Sequence, residues 1–166
     1  MSSERGFVMP ELLLTMSLLV IVASVAAPQG YNLWQRAALE YETTRLANDL
    51  RTLFSEQRRV FYDRAYFDTV KPQETDNLSL VIEDSGYRVE DWRTRTLWRH
   101  ICLPGIRMVL RGNKTRMTVD RYGYTSYNNT VVVYYGDGNN KLPRYGRRRY
   151  VIVDTAGRVR VDWQAP

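Results

Sequence analysis

One cysteine and one histidine are the side chains best suited to chemistry in this 166-residue sequence. Cys102 and His100 lie two positions apart in the run WRHICL, which predicts a strand. A nucleophilic thiol needs a base and an orienting group, and the sequence around this pair supplies no third residue. A zinc site needs three or four ligands, and two fall short. We therefore predict a packed or edge position for both residues, with no metal and no cofactor.

Other catalytic signatures are absent from the sequence. Its serines lie outside any G-x-S-x-G motif, and it has no G-x-x-x-x-G-K-[ST] phosphate loop. The segment Asp137-Gly138-Asn139-Asn140 lacks the spacing of a calcium loop and is interpreted as a solvated turn. The sequence thus predicts a protein that is not an enzyme. A conventionally secreted or membrane-anchored enzyme is the remote alternative.

Basic side chains are concentrated in the C-terminal part of the chain. The net charge is +6, and 21 of the 24 basic residues are arginine. Residues 92–166 carry a net charge of +11, whereas residues 29–91 carry −4. Arginine binds phosphate through two parallel hydrogen bonds, and nearby tyrosines offer rings for stacking on bases. A solvated surface, contact with anionic cell-surface polymers or pairing with acidic subunits would explain the same charge. The candidate DNA-binding residues are Arg144, Arg147, Arg148, Arg149, Arg158 and Arg160.

The N-terminal segment is apolar and long. Residues 7–27 contain a single charged side chain, Glu11. At about 1.5 Å per residue this stretch is roughly 31 Å long, enough to cross a bilayer core. Tyr31 and Trp34 follow where an interfacial aromatic belt is expected. The alternative is a secretory signal cleaved near Ala26, but such a signal begins with a basic region, and here Glu4 offsets Arg5.

The residues around this segment suggest a family. The run Arg5-Gly6-Phe7-Val8-Met9-Pro10-Glu11, followed by the apolar stretch, resembles the class III leader of type IV pilins and type II secretion pseudopilins. The resemblance implies that a prepilin peptidase cuts between Gly6 and Phe7 and that the new amine of Phe7 is methylated. It places Glu11 at mature position five, where the family has its glutamate, and Pro28 at position 22, where many pilins have a helix-kinking proline. Val8 and Met9 replace the commoner Thr-Leu.

A helix followed by strands is predicted beyond the apolar segment. Residues 31–62 contain no proline or glycine, and apolar residues recur at helical spacing. This stripe should pack on the domain that follows, and the two helical parts should form one helix of about 55 residues. Its residues are Leu46, Leu50, Leu53, Val60 and Phe61.

The remaining chain alternates with period two and predicts a small antiparallel β domain. Hairpin turns are expected at Ser85-Gly86, Gly112-Asn113 and Ala156-Gly157. The last hairpin resembles that of the H-type (GspH/FimT-like) minor pseudopilins. The fold class is therefore α+β, a long N-terminal helix packed on a small antiparallel β-sheet domain. The predicted strands are Leu78–Glu83, Tyr87–Asp91, Ile106–Leu110, Arg116–Asp120, Thr130–Tyr135, Tyr150–Asp154 and Arg158–Trp163.

These patterns together predict a minor pilin or pseudopilin. Its segments are a leader (1–6), a transmembrane and fibre-core helix (7–28), an amphipathic stalk (29–66) and a β domain (67–166). The resemblance implies as partners a prepilin peptidase, other pilin or pseudopilin subunits, an inner-membrane assembly platform and the cytoplasmic membrane. The N-terminus would be cytoplasmic, and the β domain would be extracytoplasmic, in a periplasmic or cell-surface fibre.

The sequence leaves the biological system open among type II secretion, pilus biogenesis and DNA uptake. The alternative function is a DNA-binding minor pilin of the competence apparatus that uses the arginine-rich face. The run Gly157-Arg158-Val159-Arg160 resembles a motif of such proteins.

Overall fold

The computed structural model describes residues 8–67, 77–112, 114–120, 122–136 and 148–164 of the chain, with helical side chains from 9 to 58. Several residues singled out above lie outside this description. They are Gly6, Phe7, Asn113, Arg144, Arg147, the segment 137–140 and the side chains of Val60 and Phe61.

One helix, α1, runs from Val8 to Phe67 and includes Pro28. Its 60 residues confirm the prediction that the apolar and amphipathic parts form a single helix. The backbone is helical on both sides of Pro28, although proline removes one helical N–H. The chain divides into two compact units, the first ending at Ala37 and the second beginning at Ala38. Each is described separately below.

The second unit contains the rest of α1 and eight strands in two four-stranded antiparallel sheets. The first sheet has the order β3-β2-β1-β5, and the second has the order β4-β6-β7-β8. The strands are β1 Leu78–Glu83, β2 Gly86–Glu90, β3 Thr96–Ile101, β4 Ile106–Leu110, β5 Arg116–Val119, β6 Asn129–Tyr135, β7 Arg148–Val153 and β8 Val159–Asp162.

Tight turns join neighbouring strands in both sheets. Residues 84 and 85 connect β1 to β2, and the register pairs Glu83 with Gly86. Between β7 and β8 the turn closes at Gly157, whose φ of +74° suits glycine. A Cβ there would also lie 2.8 Å from the carbonyl oxygen of Gly123. The predicted hairpins at both places are confirmed.

A single large core joins the helix to both sheets. From α1 it takes the predicted stripe residues Leu46, Leu50 and Leu53, each no more than 6% exposed. Alternate residues of the strands complete it, such as Leu80 in the first sheet and Val151 in the second. This helix-on-sheets arrangement confirms the α+β fold class, with two sheets in the β domain.

Candidate functional site

The first unit presents an apolar surface around the whole circumference of its helix. Ten large apolar side chains between Leu12 and Val25 are each 53–69% exposed, and no charged residue occurs from position 12 to position 35. A helix that is apolar on every side is stable only within protein or lipid. By length and composition α1 can cross a membrane, which is consistent with a single-pass, membrane-anchored protein.

Polar side chains within this apolar segment bond to their own helix. The hydroxyls of Thr15, Ser17 and Ser24 donate to the carbonyl oxygen three residues earlier, at 3.0, 2.8 and 2.7 Å. Hydrocarbon offers no hydrogen-bond partners, so a lipid-facing hydroxyl has to be satisfied in this way. These three hydroxyl groups are therefore compatible with an apolar environment.

Glu11 is the exception. It lies exposed in the first turn of α1, where a carboxylate interacts favourably with the helix dipole. It forms no ion pair with any other side chain that the structure describes. A carboxylate at the edge of an apolar span is normally neutralised by a cation at the same depth. At the other end of the segment, Tyr31 and Trp34 stack with ring centroids 6.3 Å apart.

The candidate DNA-binding arginines do not form one surface. Arg149 lies on β7 two residues before Val151, so it points to the core side of the second sheet. It is buried, donates to Glu40 of α1 at 3.0 Å, and stacks at 3.5 Å on the ring of Trp163. A guanidinium held in this way is not available to phosphate.

Two of the other candidates share the outer side of the second sheet, and a third, Arg158, lies in the turn before β8. Arg148 lies over the ring of Tyr150 at 5.5 Å, and strand pairing places Arg160 opposite Ile152 on that same side. Arg158, two residues before Arg160, has a side chain 86% exposed and lies 3.8 Å from Asp154. Arg144 and Arg147 are outside the described residues, so the described part of the surface rests on Arg148, Arg158 and Arg160.

Arginines of the first sheet are paired with carboxylates from the acidic part of the chain. Arg99 contacts Glu83 at 2.5 Å, and Arg88 contacts Glu90 at 2.6 Å. Arg116 also pairs with Glu90, which is 4% exposed. The negative charge of residues 29–91 and the positive charge of residues 92–166 therefore offset each other in part within the second unit.

A buried carboxylate on α1 lies beside the histidine and the cysteine. Glu42, 1% exposed, contacts His100 through its Oε2 at 2.7 Å from Nε2, and its Oε1 accepts the backbone N–H of Leu103 at 2.9 Å. The Cys102 thiol also lies beside the Glu42 carboxylate. One ligand atom from each of Glu42, His100 and Cys102 lies within 4.8 Å of the other two. We call these three residues the Glu42 cluster.

The strands hold the Glu42 cluster in place. A Cβ on Gly86 of β2 would lie 2.1 Å from the carbonyl oxygen of His100, so the close approach of the two strands requires glycine. The Tyr87 ring lies 5.1 Å from the His100 ring, and its hydroxyl donates to Asp49 at 2.5 Å. Burial, with the Asp49 hydrogen bond, raises the pKa of Tyr87, which keeps the hydroxyl protonated.

The environment of Cys102 disfavours a nucleophile. Burial and the neighbouring Glu42 carboxylate raise the pKa of the thiol to about 12. Reactive cysteines instead have lowered pKa values beside cations or helix N-termini. The third group that sequence reasoning did not find is thus present, but it holds the thiol in its protonated form.

Glu42 is the member of the cluster that the sequence alone did not indicate. It is 58 positions from His100 along the chain, so no local motif connects them. The one available signal was its place in the apolar stripe, three residues after Leu39 and four before Leu46. A carboxylate at such a position requires a partner from another element.

Comparison with known proteins gives matches in structure only. No family model and no curated protein sequence matches the chain. It is similar to two crystal forms of FimU from Pseudomonas aeruginosa strain PAO1, with TM-scores of 0.44 and 0.45. FimU is a type IV minor pilin. The identities are 11% and 12%, over 72% and 74% of this chain and 91% and 90% of the FimU chains.

Proposed function

We propose that this protein is a minor pilin or pseudopilin that assembles into a type IV pilus-like fibre. The observation that carries the proposal is α1 itself. Its first half is apolar on every side with one carboxylate in the first turn, and its second half packs into a β domain. The residues before it, Arg5-Gly6-Phe7, match a prepilin leader.

Assembly would proceed by exchange of one apolar environment for another. The segment from Leu12 to Val25 is first covered by lipid in the cytoplasmic membrane and then by the same segment of neighbouring subunits. Van der Waals packing between helices drives association in lipid, where no hydrophobic force acts between them. The β domain stays outside the membrane and contacts other subunits.

Glu11 would fix the position of one subunit along the fibre axis relative to its neighbour. Cleavage after Gly6 by a prepilin peptidase creates an amine on Phe7, four residues from Glu11 in sequence. In a bundle, the amine of one chain can reach the carboxylate of another at the same depth. Such a pair is strong in an apolar environment because water does not compete for it. An inner-membrane assembly platform would provide the subunit exchange.

Mass spectrometry of the mature N-terminus tests the processing step. We expect a chain that begins with N-methylated Phe7 when the protein is made alongside a prepilin peptidase. A chain that begins at Ala27 would contradict the proposal, because it would identify an ordinary secreted protein.

The assembly step is tested by Glu11→Ala in cells that make the fibre. We expect normal cleavage after Gly6 but at least about tenfold less protein in sheared fibres, which corresponds to about 1.4 kcal/mol of lost pairing. Glu11→Asp is the matched control because it keeps the charge, and it should restore part of the incorporation. Normal incorporation of Glu11→Ala would exclude the charge pair.

DNA binding is the second candidate function, and the shared outer side of the second sheet favours it. It would use Arg148, Arg158 and Arg160, while Arg149 would take no part. Duplex DNA should then bind the full chain in detergent with an affinity that falls steeply with salt. Arg158→Ala with Arg160→Ala should weaken binding and reduce the salt slope by about two. Arg93→Ala with Arg95→Ala removes the same charge elsewhere, and equal effects of both pairs would contradict a specific surface.

A further inference from the structure

The Glu42 cluster has the donor set of a transition-metal site. A thiol, an imidazole and a carboxylate are the ligands that Zn²⁺ takes in proteins, whereas Ca²⁺ and Mg²⁺ prefer oxygen alone. The ligand atoms lie within 4.8 Å of one another. In a tetrahedral zinc site with bonds of 2.0–2.3 Å, neighbouring ligand atoms are about 3.3–3.8 Å apart. Side-chain shifts of about 1 Å would therefore bring all three to bonding distance.

Charge balance supports a divalent ion at this position. Glu42 is 1% exposed and Cys102 is 9% exposed, so an uncompensated charge would be costly here. A carboxylate and a thiolate together carry two negative charges, and a neutral imidazole adds none. A bound Zn²⁺ would make the cluster neutral. The thiol proton would leave to solvent as the S–Zn bond forms, and the neutral imidazole would carry its proton on the ring nitrogen that does not bind the ion.

Groups around the cluster would keep the ligands oriented. The backbone N–H of Leu103 bonds to Oε1 of Glu42, which leaves Oε2 facing His100. Outer hydrogen bonds of this kind fix the direction of a metal ligand. The close contact between Gly86 and the carbonyl of His100 fixes β3, which carries His100 and leads directly to Cys102.

Of the three cluster residues, His100 is the one that lines a solvent-filled groove. His100 lines an open groove of about 410 Å³ between α1 and β3, together with Asp49, Leu53 and Trp98. Its side chain is 10% exposed. Three protein ligands leave one tetrahedral position, which a water molecule from the groove would occupy.

We propose that Glu42, His100 and Cys102 bind one Zn²⁺ ion, with water as the fourth ligand. The ion would join α1 to the end of β3 and stabilise the second unit, because the ligands come from elements far apart in sequence. This site does not depend on the proposed role in fibre assembly. Only two of these ligands are close together in the sequence, where no metal site was expected, and the fold adds the third.

The test uses the full untagged chain in detergent after treatment with a chelator. His100 is the only histidine and Cys102 the only cysteine of the sequence, so spectroscopic signals of either ligand can be assigned directly. Titration should show one Zn²⁺ per chain. At a hundredfold excess over Kd, the melting temperature should rise by roughly 5–10 °C. Ca²⁺ and Mg²⁺ at the same concentration should leave it unchanged.

Cobalt identifies the ligands. Co²⁺ should produce a thiolate-to-metal absorption band that Cys102→Ser abolishes. That variant keeps the size of the side chain and a hydroxyl beside the Glu42 carboxylate, so the fold should be retained. Its Zn²⁺ affinity should fall by more than the roughly 10–100-fold that loss of an outer partner causes. Glu56→Gln, which removes an exposed carboxylate of the same helix, is the control and should bind like the wild type.

Three results would overturn the proposal. These are Zn²⁺ binding no tighter than Ca²⁺ binding, absence of the thiolate band with Co²⁺, and equal Zn²⁺ affinity of the wild type and Cys102→Ser. Processing at Phe7 and incorporation into fibres are measured separately, so failure here would leave the proposed function intact.

Discussion

Single side chains in the second unit have properties that follow from where the fold places them. Glu42 lies in an apolar stripe, yet its carboxylate has two hydrogen-bond partners, the imidazole of His100 and the backbone N–H of Leu103. Buried polar groups are tolerated only when they are satisfied in this way. The same carboxylate helps to raise the pKa of the Cys102 thiol. At Gly86, the neighbouring backbone of His100 leaves no room for a side chain.

The first prediction concerns the reactivity of Cys102. With a pKa of about 12, only on the order of one thiol in ten thousand is ionised at pH 8, compared with roughly a quarter for an unperturbed cysteine. Because the thiolate is the reactive form, alkylation by iodoacetamide should be at least about a hundredfold slower in the folded chain than in denaturant. The rate should rise about tenfold per pH unit up to pH 10. Equal rates in folded and denatured protein would contradict the buried, protonated thiol. The measurement is made with a chelator present.

The second prediction concerns Gly86. In Gly86→Ala the new methyl would lie 2.1 Å from the carbonyl oxygen of His100, and backbone has to move to accept it. We expect the free energy of unfolding to fall by at least about 2 kcal/mol, measured by denaturant titration in detergent. Gly30→Ala makes the same change where nothing lies within 4 Å, and it should stabilise the helix by up to about 1 kcal/mol. A loss in Gly86→Ala no larger than about 0.5 kcal/mol would contradict the close approach.

At the scale of elements, α1 is held to both sheets by apolar packing and by polar contacts at either end of that packing. The Glu42 cluster connects it to the end of β3, and the Glu40–Arg149 pair connects it to the start of β7. Farther along, Arg51 and Arg58 donate to the carbonyls of Val159 and Ala156 at 3.2 and 2.5 Å. These directional contacts fix the position of the helix along the sheets, which apolar packing alone specifies less strictly.

The third prediction compares two arginines of the second sheet. Arg149→Ala removes a buried guanidinium that pairs with the half-exposed carboxylate of Glu40 and packs on Trp163, so it should cost about 1–3 kcal/mol of stability. Arg160→Ala removes an exposed charge and should change stability by no more than about 0.5 kcal/mol. Denaturant titrations of both variants provide the comparison. Similar losses in the two variants would contradict the different environments of the two arginines.

At the scale of the whole chain, two compact units have opposite surface character. The first is an apolar helix with its side chains exposed, and the second is a packed domain with paired charges on its surface. The mean hydropathy of −0.43 describes neither unit, because it averages over both. The first unit requires a surrounding of lipid or protein, and the second does not.

The fourth prediction tests the need for an apolar surrounding. Leu18→Arg puts a charge near the middle of the apolar segment, which costs about 2.5–3.5 kcal/mol for membrane insertion. We expect a large fraction of this variant to leave the membrane pellet on alkaline extraction, whereas wild type stays. Leu18→Ile keeps the apolar surface and should behave like the wild type. Full membrane retention of Leu18→Arg would exclude this segment as the anchor.

Local patterns were sufficient to predict the helix and most strands, because their burial follows simple periods. The stripe of Leu46, Leu50 and Leu53 is buried as the helical spacing indicates, and β1 and β4 have the predicted bounds. β3 was recognised only as a strand-like run, because it is largely exposed and a bulge at Val89/Glu90 interrupts its register. Period-two burial is weak in such a strand.

Contacts between elements that are distant in sequence could not be predicted from local sequence patterns. Arg149 precedes the predicted strand Tyr150–Asp154, but β7 begins at Arg148, and the alternation along this strand directs Arg149 towards the core. Glu42 and His100 are in contact because α1 packs on the sheets in one particular position along its axis. Such pairings depend on the whole set of tertiary contacts rather than on local spacing.

The exposed edge at β3 also has a consequence for production of the protein. Within the described residues β3 ends the first sheet, and Leu97 and Ile101 are 55% and 67% exposed. Strand edges of this kind can pair with other chains and aggregate during synthesis. Arg99, in the middle of the strand, and Arg95, just before it, place long charged side chains along this edge, and charged side chains at an edge disfavour pairing with another chain. Expression yield and solubility should therefore depend on these two arginines, and substitutions to valine there should direct newly made chains into inclusion bodies.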